Sequence, residues 1–114
     1  QLHHYNEVFK YVTGMDYTWD DLLKVGEREF NLTRAFNVRE IPDFGRKYDY
    51  PPPRFYKEKL EGEGPTAGGV MPIETIEKML DKYYELRNWT QDGIPTRQKL
   101  EELDLKYVAD ELNL

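Results

Sequence analysis

The side chains best suited to chemistry near the start of the chain are two neighbouring histidines, His3 and His4. Imidazole nitrogens bind Zn, Cu, Ni and Fe, so this pair would supply half of a metal site. Adjacent residues on a helix point about 100° apart, however, and the sequence has no third histidine. Solvated histidines are the better interpretation, and no metal site is predicted.

Three acidic pairs are the next candidates for acid–base or cation chemistry: Asp20 and Asp21, Glu27 and Glu29, and Glu101 and Glu102. All three pairs lie in helical segments beside Lys and Arg, which is typical of a solvated helix face. The chain has no cysteine, which excludes disulfides, thiolate metal sites and cysteine nucleophiles. A serine elbow, a phosphate-binding loop and a His-Glu-x-x-His motif are also absent. We therefore predict no catalytic, cofactor-binding or metal-binding residue.

Four polar residues crowd the end of a predicted helix: Arg34, Asn37, Arg39 and Glu40. The favoured interpretation is a structural cap, in which arginine side chains meet the last helix carbonyls and Glu40 pairs nearby. Two functional alternatives stay open: a contact with another domain, and a guanidinium group beside an anionic ligand. Of these two, the interdomain contact is the stronger hypothesis.

Aromatic residues flank a run of three prolines farther along the chain: Tyr48, Tyr50, Phe55 and Tyr56. Arg46 and Arg54 lie beside them. The segment would imitate a proline-rich ligand for a peptide-recognition domain. Packing of these rings against the chain's own core is the favoured interpretation.

The first 40 residues predict two helices. Apolar residues at helical spacing indicate a helix over 4–12 that stops at Gly14, and Thr18 predicts the N-cap of a second helix ending near Phe36. We expect Gly26 to permit close helix contact. The predicted inward face of the second helix is Trp19, Leu22, Leu23, Gly26, Phe30 and Thr33, widened by Leu32 and Phe36.

Residues 41–71 are rich in proline and glycine and predict a long ordered loop that lies across helices. A third helix is expected over 73–88, followed by a turn at Asp92-Gly93. Thr96 then predicts the cap of two short helices broken near Asp104. The expected fold is all-α, with four to five helices in one domain, 1–114, made of segments 1–40, 41–71 and 72–114.

Composition narrows the classes of partner. The net charge is −6 and basic residues are interleaved with acidic ones, which argues against nucleic-acid binding. No apolar run approaches the roughly 20 residues that span a bilayer, and the first residues do not resemble a signal peptide. The chain does not begin with methionine, which suits a mature form, a trimmed form or an excised C-terminal piece. A cytoplasmic location is expected.

Three blocks of sequence, taken in order, carry a family resemblance: YVTGMDYTWDDLLKVGEREFNLTRAFNVRE, then PPPRF, then IEKMLDKYYELRNWTQDGIPTRQKLEELDL. From about residue 11 to residue 105 the chain resembles the C-terminal helical domain of the tungsten-dependent aldehyde ferredoxin oxidoreductase family. The resemblance implies an enzyme that oxidises aldehydes to carboxylic acids with a tungstopterin centre (tungsten or molybdenum) and a [4Fe–4S] cluster that reduces ferredoxin. The motifs that hold those cofactors lie upstream of the matched part. No cofactor-binding residue is carried over to this chain.

The resemblance implies a non-catalytic role within a larger enzyme, namely to cover the cofactor site and help form the substrate channel. The partners would be the remaining domains of that parent enzyme, with ferredoxin as its electron acceptor; a homo-oligomer stays open. Ile41-Pro42 after Glu40, the insertion-like DFGRKYDYPP and the ending KYVADELNL depart from the family pattern. The alternative is a non-catalytic all-α module for protein interaction.

Overall fold

Helices and turns make up the structure, a computed structural model that describes residues 4–114. These residues form six α-helices and a 3₁₀ turn at Arg46–Tyr48, with an isolated bridge between Trp89 and Pro95 and no strand. The helices are α1 (Tyr5–Thr13), α2 (Trp19–Glu40), α3 (Arg54–Lys57), α4 (Ile73–Arg87), α5 (Arg97–Glu102) and α6 (Lys106–Glu111). The predicted all-α class is confirmed. The helix beyond the expected five is α3, a single turn that follows the proline run.

Local capping signals fix both ends of the loop between α1 and α2. Gly14 is left-handed, with φ 75°, and its N–H donates to the Lys10 carbonyl at 2.8 Å. Thr18 and Asp21 form a reciprocal capping box: each backbone N–H donates to the other's side-chain oxygen, at 2.8 and 3.2 Å. Hydrogen bonds from the Thr18 side chain and backbone hold the pKa of Asp21 below its ordinary value. Both predicted boundaries are confirmed.

Helix α2 continues four residues past its predicted end at Phe36. No glycine or proline interrupts the chain between Phe36 and Glu40, and the Ile41 N–H still donates to the Asn37 carbonyl at 3.0 Å. Pro42 then disfavours the helical conformation at Ile41, which is extended. The helix therefore ends at the first residue that cannot continue it.

The predicted inward face of α2 is wrong. Its buried residues are Asn31, Arg34 and Ala35, because α4 and the C-terminal helices pack on that polar side. Of the apolar side chains of the predicted face, Leu22 is half-buried and the others are exposed: Trp19, Leu23, Phe30, Leu32 and Phe36. Gly26 has no atom within 4 Å of where a Cβ would stand, so the close helix contact expected there is absent from the described chain.

Between α2 and α4 the chain contains only the 3₁₀ turn, α3 and irregular segments. Gly45 is buried, and a Cβ there would approach the Asp92 carbonyl to 3.0 Å. This part of the loop therefore lies against the turn that follows α4. The ordering of the whole loop over 41–71 stays a prediction.

The C-terminal third holds the apolar core of the described chain. Asn88 ends α4 in the left-handed conformation, and the Thr96 side chain caps α5 by accepting from the Lys99 N–H at 3.2 Å. Asp104, with φ 59°, separates α5 from α6, as predicted. The core residues are Ala35, Leu100, Leu103, Leu105, Val108 and Ala109.

The chain is more open than its size predicts. Its radius of gyration is 18.7 Å, whereas a compact chain of this length has about 13 Å. Its accessible surface is 8674 Å², whereas a compact monomer of 13.6 kDa exposes about 6,600 Å². Within residues 4–114, none of the helices combines the length and apolar content that crossing a bilayer requires.

Candidate functional site

A buried ion pair joins α2 to the loop that follows it. Arg34 donates from Nη1 and Nη2 to the two carboxylate oxygens of Asp49, at 2.7 and 2.5 Å, and from Nε to the Gly93 carbonyl at 2.8 Å. Bidentate arginine–carboxylate pairs are among the strongest and most directional polar contacts in proteins. Arg34 therefore ties helix, loop and turn together at one point.

Aromatic rings enclose this ion pair. The Arg34 guanidinium lies 4.6 Å from the centre of the Phe44 ring and 4.9 Å from that of Trp89. The fully buried Tyr84 donates its hydroxyl to Asp49 at 2.6 Å. Burial, together with that hydrogen bond, raises the pKa of Tyr84, so the phenol stays protonated.

A second arginine extends the network along α4. Arg46 donates to a carboxylate oxygen of Glu77 at 2.5 Å and lies 2.7 Å from an Asp81 carboxylate oxygen. The Tyr50 hydroxyl also donates to Glu77. Hydrogen bonds from Tyr50 and then Arg46 hold the pKa of Glu77 below its usual value. Hydrogen bonds to Tyr50, Glu77 and Asp81 raise the pKa of Arg46, so both charges persist at neutral pH.

We call this network the polar clamp: Arg34, Arg46, Asp49, Tyr50, Glu77, Asp81 and Tyr84. Its arginines come from α2 and the 3₁₀ turn, and most of its acceptors from the loop and α4. The Arg34 side chain is only 10% exposed and that of Asp49 23%, so the pair between them is the most desolvated of the clamp. The clamp fixes the loop to α2 and α4 through charge-assisted hydrogen bonds instead of apolar contacts.

Polar contacts also cover Asn31 and Glu27 on α2, whereas Ala35 packs in the apolar core. Trp89 donates its indole N–H to the Asn31 side-chain oxygen at 2.8 Å, and Asn31 donates to the Glu27 carbonyl at 2.9 Å. The Lys99 ammonium lies 3.2 Å from a carboxylate oxygen of Glu27 and also pairs with Glu102. Burial lowers the pKa of Lys99, but these hydrogen bonds outweigh it and the net shift is upward.

The structure separates the four predicted site residues. Arg34 belongs to the clamp, whereas Arg39 pairs at 2.6 Å with both Glu40 and Glu111 at the exposed end of α2. Asn37 is half-buried between them. The contact with another domain that was predicted for these residues stays a prediction.

Members of the acidic pairs, and His4, contact neighbouring residues. Asp21 caps α2, Glu29 accepts from the Thr33 hydroxyl at 3.0 Å, and Glu101 lies 3.3 Å from Arg97. His4 lies 3.2 Å from Glu7, and His3 falls outside the described residues. Within residues 4–114, no three His, Cys, Asp or Glu side chains are arranged to hold a metal ion.

Sequence reasoning missed most of the clamp, because its members are far apart along the chain. The available signal was the run DFGRKYDY, where charged residues and tyrosines alternate inside a loop. Such residues in a loop need polar partners once they are buried. That signal would have indicated a polar contact, but it would not have identified Tyr84 or Glu77.

A large exposed apolar surface lies at the other end of the molecule. We call residues 5–25 the N-terminal arm, which contains α1 and the start of α2. Helix α1 has no buried residue. The arm's exposed large apolar residues are Tyr5, Val8, Tyr11, Val12, Met15, Tyr17, Trp19, Leu23 and Val25.

Comparison with known proteins relates this fold to one family. The family described as "Aldehyde ferredoxin oxidoreductase, domains 2 & 3" matches residues 1–105. A tungsten-containing aldehyde ferredoxin oxidoreductase of Pyrococcus furiosus is 40% identical over 101 residues, which is 89% of this chain and 16% of that protein. Its counterpart in Thermococcus kodakarensis is 39% identical over 101 residues, again 89% of this chain and 16% of that protein.

Two further matches carry other names. The aliphatic sulfonate oxidoreductase, WOR-like subunit, of Pyrococcus furiosus is 33% identical over 114 residues, covering 90% of this chain and 18% of that protein. Among solved structures, the active site complex BamBC of benzoyl coenzyme A reductase, in complex with 1,5-dienoyl-CoA, superposes with a TM-score of 0.76 at 31% identity. That match covers 98% of this chain and 15% of the other.

The chain spans about a sixth of the length of the curated relatives it matches. Within that share the agreement is nearly continuous, since the family match runs from residue 1 to residue 105. The resemblance seen in the order of the three sequence blocks is confirmed. This chain belongs to the aldehyde ferredoxin oxidoreductase family, in the part described as its domains 2 and 3.

Proposed function

We propose that this chain is the C-terminal helical part of an aldehyde:ferredoxin oxidoreductase-like enzyme. In that enzyme it covers the cofactor site and helps to form the substrate channel, while the chemistry takes place on other domains. The parent enzyme would oxidise an aldehyde to a carboxylate and pass the electrons to ferredoxin. The isolated 114 residues would have no activity of their own.

One observation carries this proposal: the chain belongs to the family, yet it exposes more surface than a compact chain of its size. Its accessible surface exceeds that of a compact monomer by about 2,000 Å². A protein interface of standard size buries about 800 Å² on each partner. A surplus of this size fits a segment that contacts other domains over more than one face.

The cofactors of the parent are assigned to its other domains. We infer a tungstopterin and a [4Fe–4S] cluster, which would supply the redox chemistry of the reaction. Cluster ligation by thiolates needs cysteine, and this chain has none. The role left to its own residues is to pack against those domains and exclude water.

The substrate class rests on the names of the relatives. Four tungsten-containing aldehyde ferredoxin oxidoreductases are 38–40% identical to the chain, whereas the sulfonate oxidoreductase subunit is 33% identical. The higher identity favours an aldehyde. Residues 41–53, where the chain departs from the family pattern, would distinguish its substrate from those of its relatives.

The test is to isolate the native protein from its source organism and measure its intact mass and metal content. We expect a protein several times larger than 13.6 kDa that contains tungsten or molybdenum together with iron, and that reduces an acceptor dye with aldehyde. A native protein of about 13.6 kDa would refute the proposal.

The alternative function is a non-catalytic all-α module for protein interaction. The exposed N-terminal arm favours it as well, because any partner with an apolar surface would cover the same residues. The mass measurement separates the two: the module predicts the small native protein and the enzyme predicts the large one. Metal and iron in a larger native protein would refute the module.

A further inference from the structure

Few contacts within the described chain stabilise the N-terminal arm. Helix α1 has nine residues and none of them is buried. Isolated helices shorter than about 12–15 residues are marginal in water, because their few hydrogen bonds do not offset the unfavourable free energy of nucleation. The helix therefore needs an external surface to stabilise it.

The arm has the pattern of a helix made for an apolar groove. Tyr5, Val8 and Val12 recur at the i, i+3, i+7 spacing of one helix face, and each is more than half exposed. Phe9, which is next to that face, is half-buried because its ring stacks on Tyr17 at 5.4 Å. That contact holds α1 against the loop before α2 and leaves the remaining apolar face open.

The start of α2 continues the same exposed surface. Trp19 is 38% exposed and Leu23 53%, although the capping box fixes this turn of helix firmly. Leaving so many large apolar residues in water is costly, at about 25 cal/mol for each Å² of apolar surface. Scattered exposed apolar residues are ordinary, but nine within 21 positions indicate an interaction site.

We propose that the N-terminal arm docks through α1 into an apolar groove formed by the remainder of the same polypeptide. This inference rests on the proposed function, since the occupant is the part of the parent enzyme that lies outside these 114 residues. The length of the relatives supports it: the matched part is only 16% of each aldehyde ferredoxin oxidoreductase. The remainder of such a protein is several times larger than this chain, so it is large enough to cover the arm.

A second copy of this chain fits less well as the occupant. A symmetric contact of standard size covers about 800 Å² per partner, which is less than half of the surplus surface. The arm's charges also give no pattern for self-recognition, because α1 carries one lysine and one glutamate and α2 begins with two aspartates.

The deciding experiment is hydrogen exchange on the native protein, with its intact mass measured on the same sample. We expect a large protein in which amides 5–13 exchange at least about a hundredfold more slowly than amides 61–67 of the glycine-rich loop, at all protein concentrations. If the protein is large but amides 5–13 exchange as fast as that loop, the docking inference is wrong while the proposed function stands. If the protein is small, the proposed function fails, and with it this occupant. Protection that grows with concentration would assign the surface to a second copy and overturn the inference.

A pair of variants in the full-length protein tests the face itself. Val12→Asp places a charge in the groove, so we expect exchange at amides 5–13 to accelerate at least about tenfold. Leu86→Asp is the matched control, because Leu86 is similarly exposed (73% against 80%) but lies on α4. That control should leave amides 5–13 unchanged. Equal exchange in Val12→Asp and the wild type would overturn the docking of this face, and a Val12→Asp protein that fails to fold leaves the wild-type measurement to decide.

Discussion

The N-terminal arm and the region around the polar clamp differ in which side chains they bury. In the arm, large apolar side chains point into solvent and no residue of α1 is buried. Around the clamp, Arg34 is buried and pairs with Asp49, and Asn31 is buried and accepts from the Trp89 indole. Both regions meet on α2, whose apolar and polar faces are reversed relative to a free-standing amphipathic helix.

This difference shows that burial inside a chain and burial inside a complete protein are separate properties. The polar face of α2 is satisfied by α4, the loop and α5, so it is complete within these residues. No buried side-chain nitrogen or oxygen in the described residues lacks a hydrogen-bond partner. The apolar face is covered only in part, since most of its large side chains are exposed. Four predictions test this comparison.

The largest effect is expected at the centre of the clamp. Asp49→Ala would leave the buried Arg34 guanidinium without its carboxylate and remove the acceptor of the Tyr84 hydroxyl. Breaking one side of a buried pair costs about 3–5 kcal/mol, because the remaining charge is desolvated and uncompensated. The free energy of unfolding of the chain, from denaturant titration, should fall by about that amount.

The control for this variant is Glu63→Ala, which removes an exposed carboxylate from the glycine-rich loop. It should change the free energy of unfolding by no more than about 0.5 kcal/mol. A loss below 1 kcal/mol for Asp49→Ala would mean that the clamp does not hold the loop to α2 and α4.

The next effect compares a core leucine with a leucine of the arm. Leu105 is fully buried, so Leu105→Ala should cost about 3 kcal/mol through lost burial and the cavity left behind. Leu23 is 53% exposed, so Leu23→Ala should cost the 114-residue chain less than about 1 kcal/mol. Denaturant titration of both variants measures the difference.

In the parent enzyme, Leu105→Ala and Leu23→Ala should lower the free energy of unfolding by more similar amounts. If the arm is covered there, Leu23→Ala should destabilise the parent by several times more than it destabilises the chain. An equally small effect in both proteins would show that the start of α2 is exposed in the enzyme as well. The contrast between the two regions would then be a property of the native protein.

A smaller effect is expected from the cap that starts α2. Thr18→Ala removes the side chain that accepts the Asp21 N–H, and such changes cost about 1 kcal/mol. The arm would then lose helicity at the first turn of α2 while the clamp stays intact. Amide exchange should accelerate near residues 19–22 and stay unchanged in α4. Thr66→Ala, in the glycine-rich loop, is the control, and uniform acceleration in both helices would contradict a local role for the cap.

The sequence predicted the fold where the deciding physics is local. Thr18, Gly14, Thr96 and Asp104 mark helix boundaries through their own side chains or backbone conformation, and all four boundaries are found. The all-α class follows from the same signals together with the apolar spacing. The end of α2 was placed too early because the cluster after Phe36 was interpreted as a cap, whereas the first residue unable to continue the helix precedes Pro42.

The sequence did not predict which face of α2 is buried, because that depends on the partner and not on the helix. Apolar spacing correctly marks Trp19, Leu23 and Phe30 as one face. It also predicts that this face packs against the core of the same chain, which it does not. Nor did it predict the clamp, since Asp49 lies 15 residues from Arg34 and 35 from Tyr84. Only the folded positions of the loop and of the turn after α4 bring those three side chains together.

The smallest predicted effect is a dependence of stability on acid pH through Glu77. Its pKa in the folded chain is held below the ordinary value of 4.5, by Tyr50 and then Arg46, so the unfolded chain binds the proton more readily. The stabilisation is therefore complete above about pH 4.5 and is lost as the pH falls through the lower folded pKa. In Glu77→Gln the unfolding midpoint should fall less steeply below pH 4.5 than in the wild type.

In Glu77→Gln the slope of the unfolding midpoint against pH should decrease but not vanish. The pKa of Asp110 is also lowered, by Arg97, and that of Asp21 by Thr18, so both carboxylates lose stabilisation over the same acid range. Glu58→Gln, an exposed change beside α3, should keep the wild-type slope. The residual slope in Glu77→Gln therefore measures how much acid sensitivity comes from carboxylates other than Glu77. If Glu77→Gln and the wild type have the same slope, the second arginine of the clamp contributes no stabilisation through this carboxylate.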